Sequence, residues 1–137
     1  INKKILIKKK NILGICLGMQ LLADFSEEGG INNGLSLIPG NVLDLSNKIK
    51  IRVPHIGWNA VKMNNNNNLF KNIESGQEFY FVHKYYYSCE SKYLLAETNY
   101  EINVTAAINF ENIYGVQFHP ERSHNSGLKL LENYSKL

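Results

Sequence analysis

The sequence predicts an α/β fold with a mixed sheet, and three observations carry that reading. A short apolar run, residues 12–16, turns through glycines into an amphipathic segment; a β-rich stretch follows from Ile49; an apolar stripe at helical spacing closes the chain. The 137 residues suit one domain, and a hydrophobic share of 44% is enough to build a core.

Taken in order, residues 1–10 carry Ile1, Ile5 and Leu6 and end in Lys8-Lys9-Lys10. That pattern suits the tail of a helix whose negative end the cations compensate. The strand over residues 12–16 leads into a helix with Met19, Leu22 and Phe25 on one face, which Glu28-Gly29-Gly30 ends. Asn32-Asn33-Gly34 predicts a turn, Leu37-Ile38-Pro39-Gly40 a short apolar connection, and residues 42–45 an edge strand. Strands are then predicted at 51–53, 59–63, 78–82, 93–98, 104–110 and 112–118, with a helical turn at 69–73. The stretch Pro54-His55-Ile56-Gly57-Trp58-Asn59 reads as an X-Pro turn where a ligand or partner backbone can approach. The asparagine run at 64–68 has no apolar residue to pack and reads as an exposed loop tip. Ser123 caps the closing helix, with Leu130, Leu131, Tyr134 and Leu137 on its buried stripe.

Two stretches carry chemistry. Cys16 sits where strand turns to helix between Gly14 and Gly18, the arrangement of a nucleophile elbow. The following helix would favour the thiolate, and the Leu17 N–H could help hold an oxyanion. The alternative is a buried, inert cysteine at the end of a core strand. A hundred residues on, a strand runs into His119, Pro120 stops its ladder, and Glu121 follows. A thiol nucleophile needs a general base, and that base needs an acceptor to fix its tautomer. Cys16, His119 and Glu121 form such a set. Cys16, rather than Cys89, is then the reactive thiol, and both are read as free.

Gly14-Ile15-Cys16-Leu17-Gly18 and Phe118-His119-Pro120-Glu121 resemble the nucleophile and His/Glu motifs of class I glutamine amidotransferases. Cys16-Leu17-Gly18-Met19-Gln20, Pro54-His55-Ile56-Gly57-Trp58-Asn59, Tyr80-Phe81-Val82-His83 and Gly115-Val116-Gln117-Phe118-His119-Pro120-Glu121 further resemble the amidotransferase subunits of imidazole glycerol phosphate synthases. The resemblance implies a flavodoxin-like mixed sheet flanked by helices, with Cys16, His119 and Glu121 as a triad. It implies that Gln20 helps hold substrate glutamine and that the backbone after the 78–82 strand, at His83, Lys84 and Tyr85, lies along it. Lys84 departs from the small hydroxyl residue usual there. His83 has no partner motif of its own and reads as structural. The resemblance also places Trp58 and Asn59 against a (β/α)8-barrel cyclase subunit in a heterodimer; from the residues alone Trp58 suits a core position equally.

The implied function is a glutaminase that hydrolyses glutamine and passes ammonia to the cyclase, which forms imidazole glycerol phosphate and the aminoimidazole carboxamide ribotide in histidine biosynthesis. Two other readings stand beside it: a paralogue supplying ammonia to a sugar amidotransferase of surface-polysaccharide synthesis, and a non-catalytic scaffolding fragment. The resemblance further implies that residues 1–137 are the C-terminal two-thirds of an amidotransferase domain lacking its N-terminal strands and oxyanion loop. Such a chain is expected to be a poor enzyme alone. No cofactor is implied, and the four histidines lack paired metal-ligand spacing, so no metal is expected. The net charge of +3 is not gathered into a basic stripe, which speaks against nucleic acid. No apolar run approaches the roughly 20 residues of a membrane span, and no secretion signal is evident, so a cytoplasmic protein is expected.

Overall fold

The structure, a computed structural model, describes residues 10–64 and 66–137. In chain order its strands are β1 (Ile12–Ile15), β2 (Phe25–Ser26), β3 (Asn32–Asn33), β4 (Asn41–Asp44), β5 (His55–Met63), β6 (Glu78–His83), β7 (Tyr85–Ser88), β8 (Leu94–Tyr100), β9 (Ile102–Phe110) and β10 (Ile113–Val116). Its α-helices are α1 (Leu17–Gln20) and α2 (His124–Tyr134). The expected helix tail ahead of Lys10 lies outside the described residues.

One sheet has six strands in the order β1-β10-β9-β8-β5-β6, and a second has four in the order β3-β2-β4-β7. β1 runs parallel to β10 with Ile15 opposite Val116, whereas β10-β9-β8-β5-β6 is an antiparallel succession. The larger sheet curls until its two edge strands meet. The Cys16 thiol, just past β1, points at the Val82 carbonyl of β6 at 3.8 Å, and the His119 N–H, past β10, donates to Tyr80 O of β6 at 2.9 Å. The result is a mixed α/β fold with a curled sheet and few helices.

β9 shows why the core holds. Its central residues from Val104 to Ile108 are all buried, and four of them join three apolar clusters. Ala106 and Ala107 join Val61, Phe79, Phe81, Val116, Phe118 and Leu130; Ile108 joins Met19, Leu22, Ile38 and Tyr87; Val104 joins Leu45, Ile49 and Tyr86. Gly115 lets Met19 lie against the sheet, since a Cβ there would stand 2.8 Å from the Met19 side chain.

Several elements differ from the sequence reading. The helix after Cys16 stops at Gln20 instead of reaching Phe25, which belongs to β2. The returning chain takes the carbonyls that a longer helix would use: Gly34, Leu35, Ser36 and Leu37 N–H groups bond to the oxygens of Asp24, Leu21, Ala23 and Leu22. Asn32-Asn33, expected as a turn, is the two-residue strand β3. β4 is interior to its sheet, between β2 and β7, rather than at an edge. Residues 51–53 form no strand, because the Glu101 carboxylate accepts from Lys50 and Ile51 N–H at 2.8 and 3.0 Å, in place of a neighbouring strand. The expected turn at 54–59 is instead the start of β5, with His55 to Asn59 paired to β6. β7 is an unexpected strand: the chain bends at Lys84 and leaves one sheet for the other. Ser123 makes no side-chain cap for α2. The buried face of α2 is Gly127, Leu130 and Asn133, while Leu131, Tyr134 and Leu137 are half-buried.

Candidate active site

β1 ends at Ile15, paired with Val116, and Cys16 takes φ 51° and ψ −108°, a strained conformation for a residue with a side chain. The strain is held because the Cys16 N–H is tied to Val116 O at 2.8 Å while its carbonyl accepts from Gln20 N–H at 3.2 Å. Gly14 is needed for the turn: a Cβ there would sit 2.6 Å from Gly18 O, so only glycine allows α1 to fold back this close. Gly18 itself faces open space, contrary to a need for glycine on both sides.

Burial raises the Cys16 thiol above its usual range, and the charges of Glu121 and Glu28 push the same way; the Leu17 N–H and the Gln117 side chain pull it down. Burial thus works against the thiolate that the helix N-terminus is expected to favour. α1 is a single short turn, so the dipole it offers the sulfur is small. Burial drives Cys89 higher, to about 11, and both cysteines are free.

His119 Nδ1 lies 2.6 Å from Glu121 Oε1. The carboxylate accepts there, so Nδ1 carries the proton and Nε2 is left as the basic nitrogen. The loop that holds the pair is clamped to β6 by Ser123: its hydroxyl donates to His119 O at 2.6 Å and accepts from Tyr80 N–H at 3.0 Å. That clamp is why Ser123 does not cap α2. Cys16 and His119 thus both abut β6, at Val82 and Tyr80, two residues apart. No hydrogen bond joins Sγ to the imidazole among the described residues.

Gln20 is buried beside them. Its Nε2 donates to Tyr85 O at 3.0 Å and to Gln117 Oε1 at 3.1 Å, which leaves its Oε1 as the group open to a ligand. Tyr85 O also accepts from His83 Nδ1 at 2.8 Å. His83 Nε2 must then accept, so His55 Nδ1 donates to it at 3.0 Å and His55 Nε2 faces the Asn59 amide at 3.3 Å. Burial drops both histidines to about 4, with each other's proximity adding to the effect on His55; both are neutral. His83 thus engages both ring nitrogens within the protein, on Tyr85 O and His55. The Lys84 ammonium, half-exposed, pairs with Asp44 at 3.3 Å and lies 5.4 Å from the Tyr85 ring.

Trp58 is no core residue. It is 43% exposed, stacks on His124 at 4.8 Å and meets Tyr80 edge-on, while the Arg122 guanidinium covers the other ring of that group, Tyr80, at 4.5 Å. Asn59 spends its amide hydrogens inside the sheet, on Asn99 O and toward His55. Sequence reasoning passed over Gln117, Ser123 as a clamp, and Gly127. A signal for Gln117 was present: a lone amide between Val116 and Phe118 in a buried run must find partners. Among the described residues no cluster of His, Cys, Asp and Glu could hold a metal ion, and no helix is long and apolar enough to cross a membrane.

Residues 1–135 match the family model "Glutamine amidotransferase class-I". The chain belongs to the class I glutamine amidotransferases. The imidazole glycerol phosphate synthase subunit HisH 2 of Methanococcus maripaludis is 47% identical over 137 residues, 99% of this chain and 67% of its own length. HisH 1 of Campylobacter jejuni is 39% identical over all of this chain and 68% of its own. HisH of Leptospira borgpetersenii is 46% identical over 97% of this chain and 67% of its own. This amidotransferase chain thus spans about two thirds of the length of these curated relatives. A glutamine amidotransferase of Thermotoga maritima superposes with a TM-score of 0.63 at 21% identity, over 98% of this chain and 50% of that one. A further glutamine amidotransferase superposes at 0.67 with 14% identity, over 98% and 66%. These two likenesses bear on the fold alone.

Proposed function

We propose that the protein is the glutaminase subunit of an imidazole glycerol phosphate synthase, releasing ammonia from glutamine for a (β/α)8-barrel cyclase subunit in histidine biosynthesis. The observation that carries the reading is the match to HisH subunits at 39–47% identity over nearly the whole chain.

Cys16, His119 and Glu121 are the triad. Cys16 Sγ attacks the side-chain amide carbon of glutamine, and its proton passes to His119 Nε2. The tetrahedral intermediate collapses as His119 returns that proton to the leaving ammonia, forming a glutamyl thioester. Water then adds to the thioester, with His119 taking its proton and giving it back to the thiol, and glutamate leaves. Glu121 keeps Nδ1 protonated and stabilises the imidazolium. The Leu17 N–H faces the developing oxyanion. A resting thiol raised by burial fits a proton transfer that waits for substrate. Gln20 Oε1 receives the substrate, and the backbone of His83, Lys84 and Tyr85 lines it; the Asp44 pairing supports a Lys84 ammonium held apart from the glutamine.

The exposed Trp58, with Ile56 on the same strand face 51% exposed, supports this side of β5 as the surface that meets the cyclase. Two free thiols support a cytoplasmic setting. The test is glutamate release by the purified protein with and without the cyclase subunit. Cyclase-stimulated release that Cys16→Ser abolishes is expected. Release unaffected by the cyclase, with stimulation by a sugar amidotransferase instead, would assign a different acceptor; release intact in Cys16→Ser would overturn the mechanism.

A further inference from the structure

We infer that Gln117 is a positioning residue for the nucleophile: its buried amide is locked in one orientation and presents an N–H to the sulfur of Cys16. The inference rests on the reading of Cys16 as nucleophile. Gln117 is fully buried, and its backbone N–H is anchored to Ala106 O of β9 at 2.8 Å. Its side chain has two faces, with Oε1 3.1 Å from Gln20 Nε2 and Nε2 3.7 Å from Cys16 Sγ.

What fixes the orientation is a carbonyl two links away. Tyr85 O can only accept, so the Gln20 group 3.0 Å from it is the NH2. The same NH2 faces Gln117, which must answer with oxygen and so turns its own NH2 to the sulfur. A flipped Gln117 would set two NH2 groups against each other and aim a carbonyl oxygen at the sulfur lone pairs. His83 Nδ1–H on the same Tyr85 carbonyl holds the far end in place. A donor aimed at sulfur favours thiolate over thiol and opposes the burial that raises it. The charged groups this sulfur feels are Glu121 and Glu28, both of which raise it, so Gln117 and the Leu17 N–H are the opposing influences.

The test is the pH dependence of iodoacetamide labelling at Cys16 in the intact protein, mapped by mass, with Cys89 as internal control for folding. In Gln117→Met the labelling midpoint of Cys16 moves up by about one pH unit and labelling at pH 7.5 slows about tenfold, while Cys89 is unchanged. Gln20→Met, which leaves Gln117 present but free to flip, slows Cys16 about threefold. An unmoved Cys16 midpoint in Gln117→Met with Cys89 still slow overturns the inference. If Gln117→Met instead opens Cys89 as well, Gln20→Met decides: a slowed Cys16 beside an unchanged Cys89 sustains it, and any other result overturns it. Labelling reads the thiol whether or not glutamine is hydrolysed, so failure here is separate from failure of the glutaminase reading.

Discussion

Cys16 and His119 are held by backbone rather than by each other. Each is pinned to a neighbouring strand through its own N–H, Cys16 to Val116 and His119 to Tyr80, so a side-chain change at either leaves the frame standing. Glu121 acts on the chemistry through His119 Nδ1. Glu121→Gln keeps an acceptor there but removes the charge that stabilises imidazolium. We expect kcat to fall roughly 100-fold with the glutamine KM within about threefold, measured as steady-state glutamate release. The His55–His83 pair gives a second outcome. Both are held neutral, with folded values near 4 against about 6.5 when unfolded, so the unfolded chain binds more protons between those values. Stability is full above about pH 6.5 and falls as pH drops toward 4, by roughly 1 kcal/mol per pH unit for each histidine. Urea midpoints measured at pH 7, 6 and 5 check this; a flat profile would mean that the pair is open to water.

At the scale of elements, short segments are placed by close backbone approach. α2 packs on the turn that carries Glu121 because Gly127 has no side chain: a Cβ there would stand 1.8 Å from Pro120 O. Backbone on both sides leaves nothing flexible to give way. Gly127→Ala should therefore cost about 2–3 kcal/mol and lower kcat through the displaced His119 loop, read by thermal melting and glutaminase rate together. The asparagine run divides in the same way. Asn66 is exposed, whereas Asn67 Oδ1 accepts from Leu69 N–H at 2.8 Å and starts the turn that buries Leu69 and Phe70. Asn67→Ala should cost about 1 kcal/mol in urea unfolding, and Asn66→Ala should cost close to nothing.

Over the whole molecule, the curl of the six-stranded sheet makes the site, since it brings the ends of β1 and β10 onto β6. The β5–β6 ribbon also exposes Ile56 and Trp58, which lie across from Val82 and Tyr80, the residues whose carbonyls meet Cys16 and His119. Aromatic residues at the centre of an interface carry much of its energy. Trp58→Ala should weaken association with the cyclase subunit about 30-fold, measured calorimetrically, with only a modest fall in melting temperature from the lost stacking on His124. Undiminished binding would place the partner elsewhere.

The turn at Cys16, the strand β10 that precedes His119, though it ends at Val116 rather than running into the histidine, the pairing of His119 with Glu121, and the α/β class were legible in the residues, because they rest on neighbours close in sequence. So was the closing helix. Tertiary structure alone decided the early stop of α1, where residues 34–37 take the carbonyls of residues 21–24, and the conversion of the His55 turn into strand. It also decided that Cys16 is a raised thiol, that Trp58 is outside, and that Ser123 clamps a loop instead of capping a helix. The physical reason is common to these cases. Backbone hydrogen bonds and desolvation are set by whichever segment arrives from far along the chain, and such partners, 101 residues apart for Gln117 and Cys16, leave no periodicity or local motif to read.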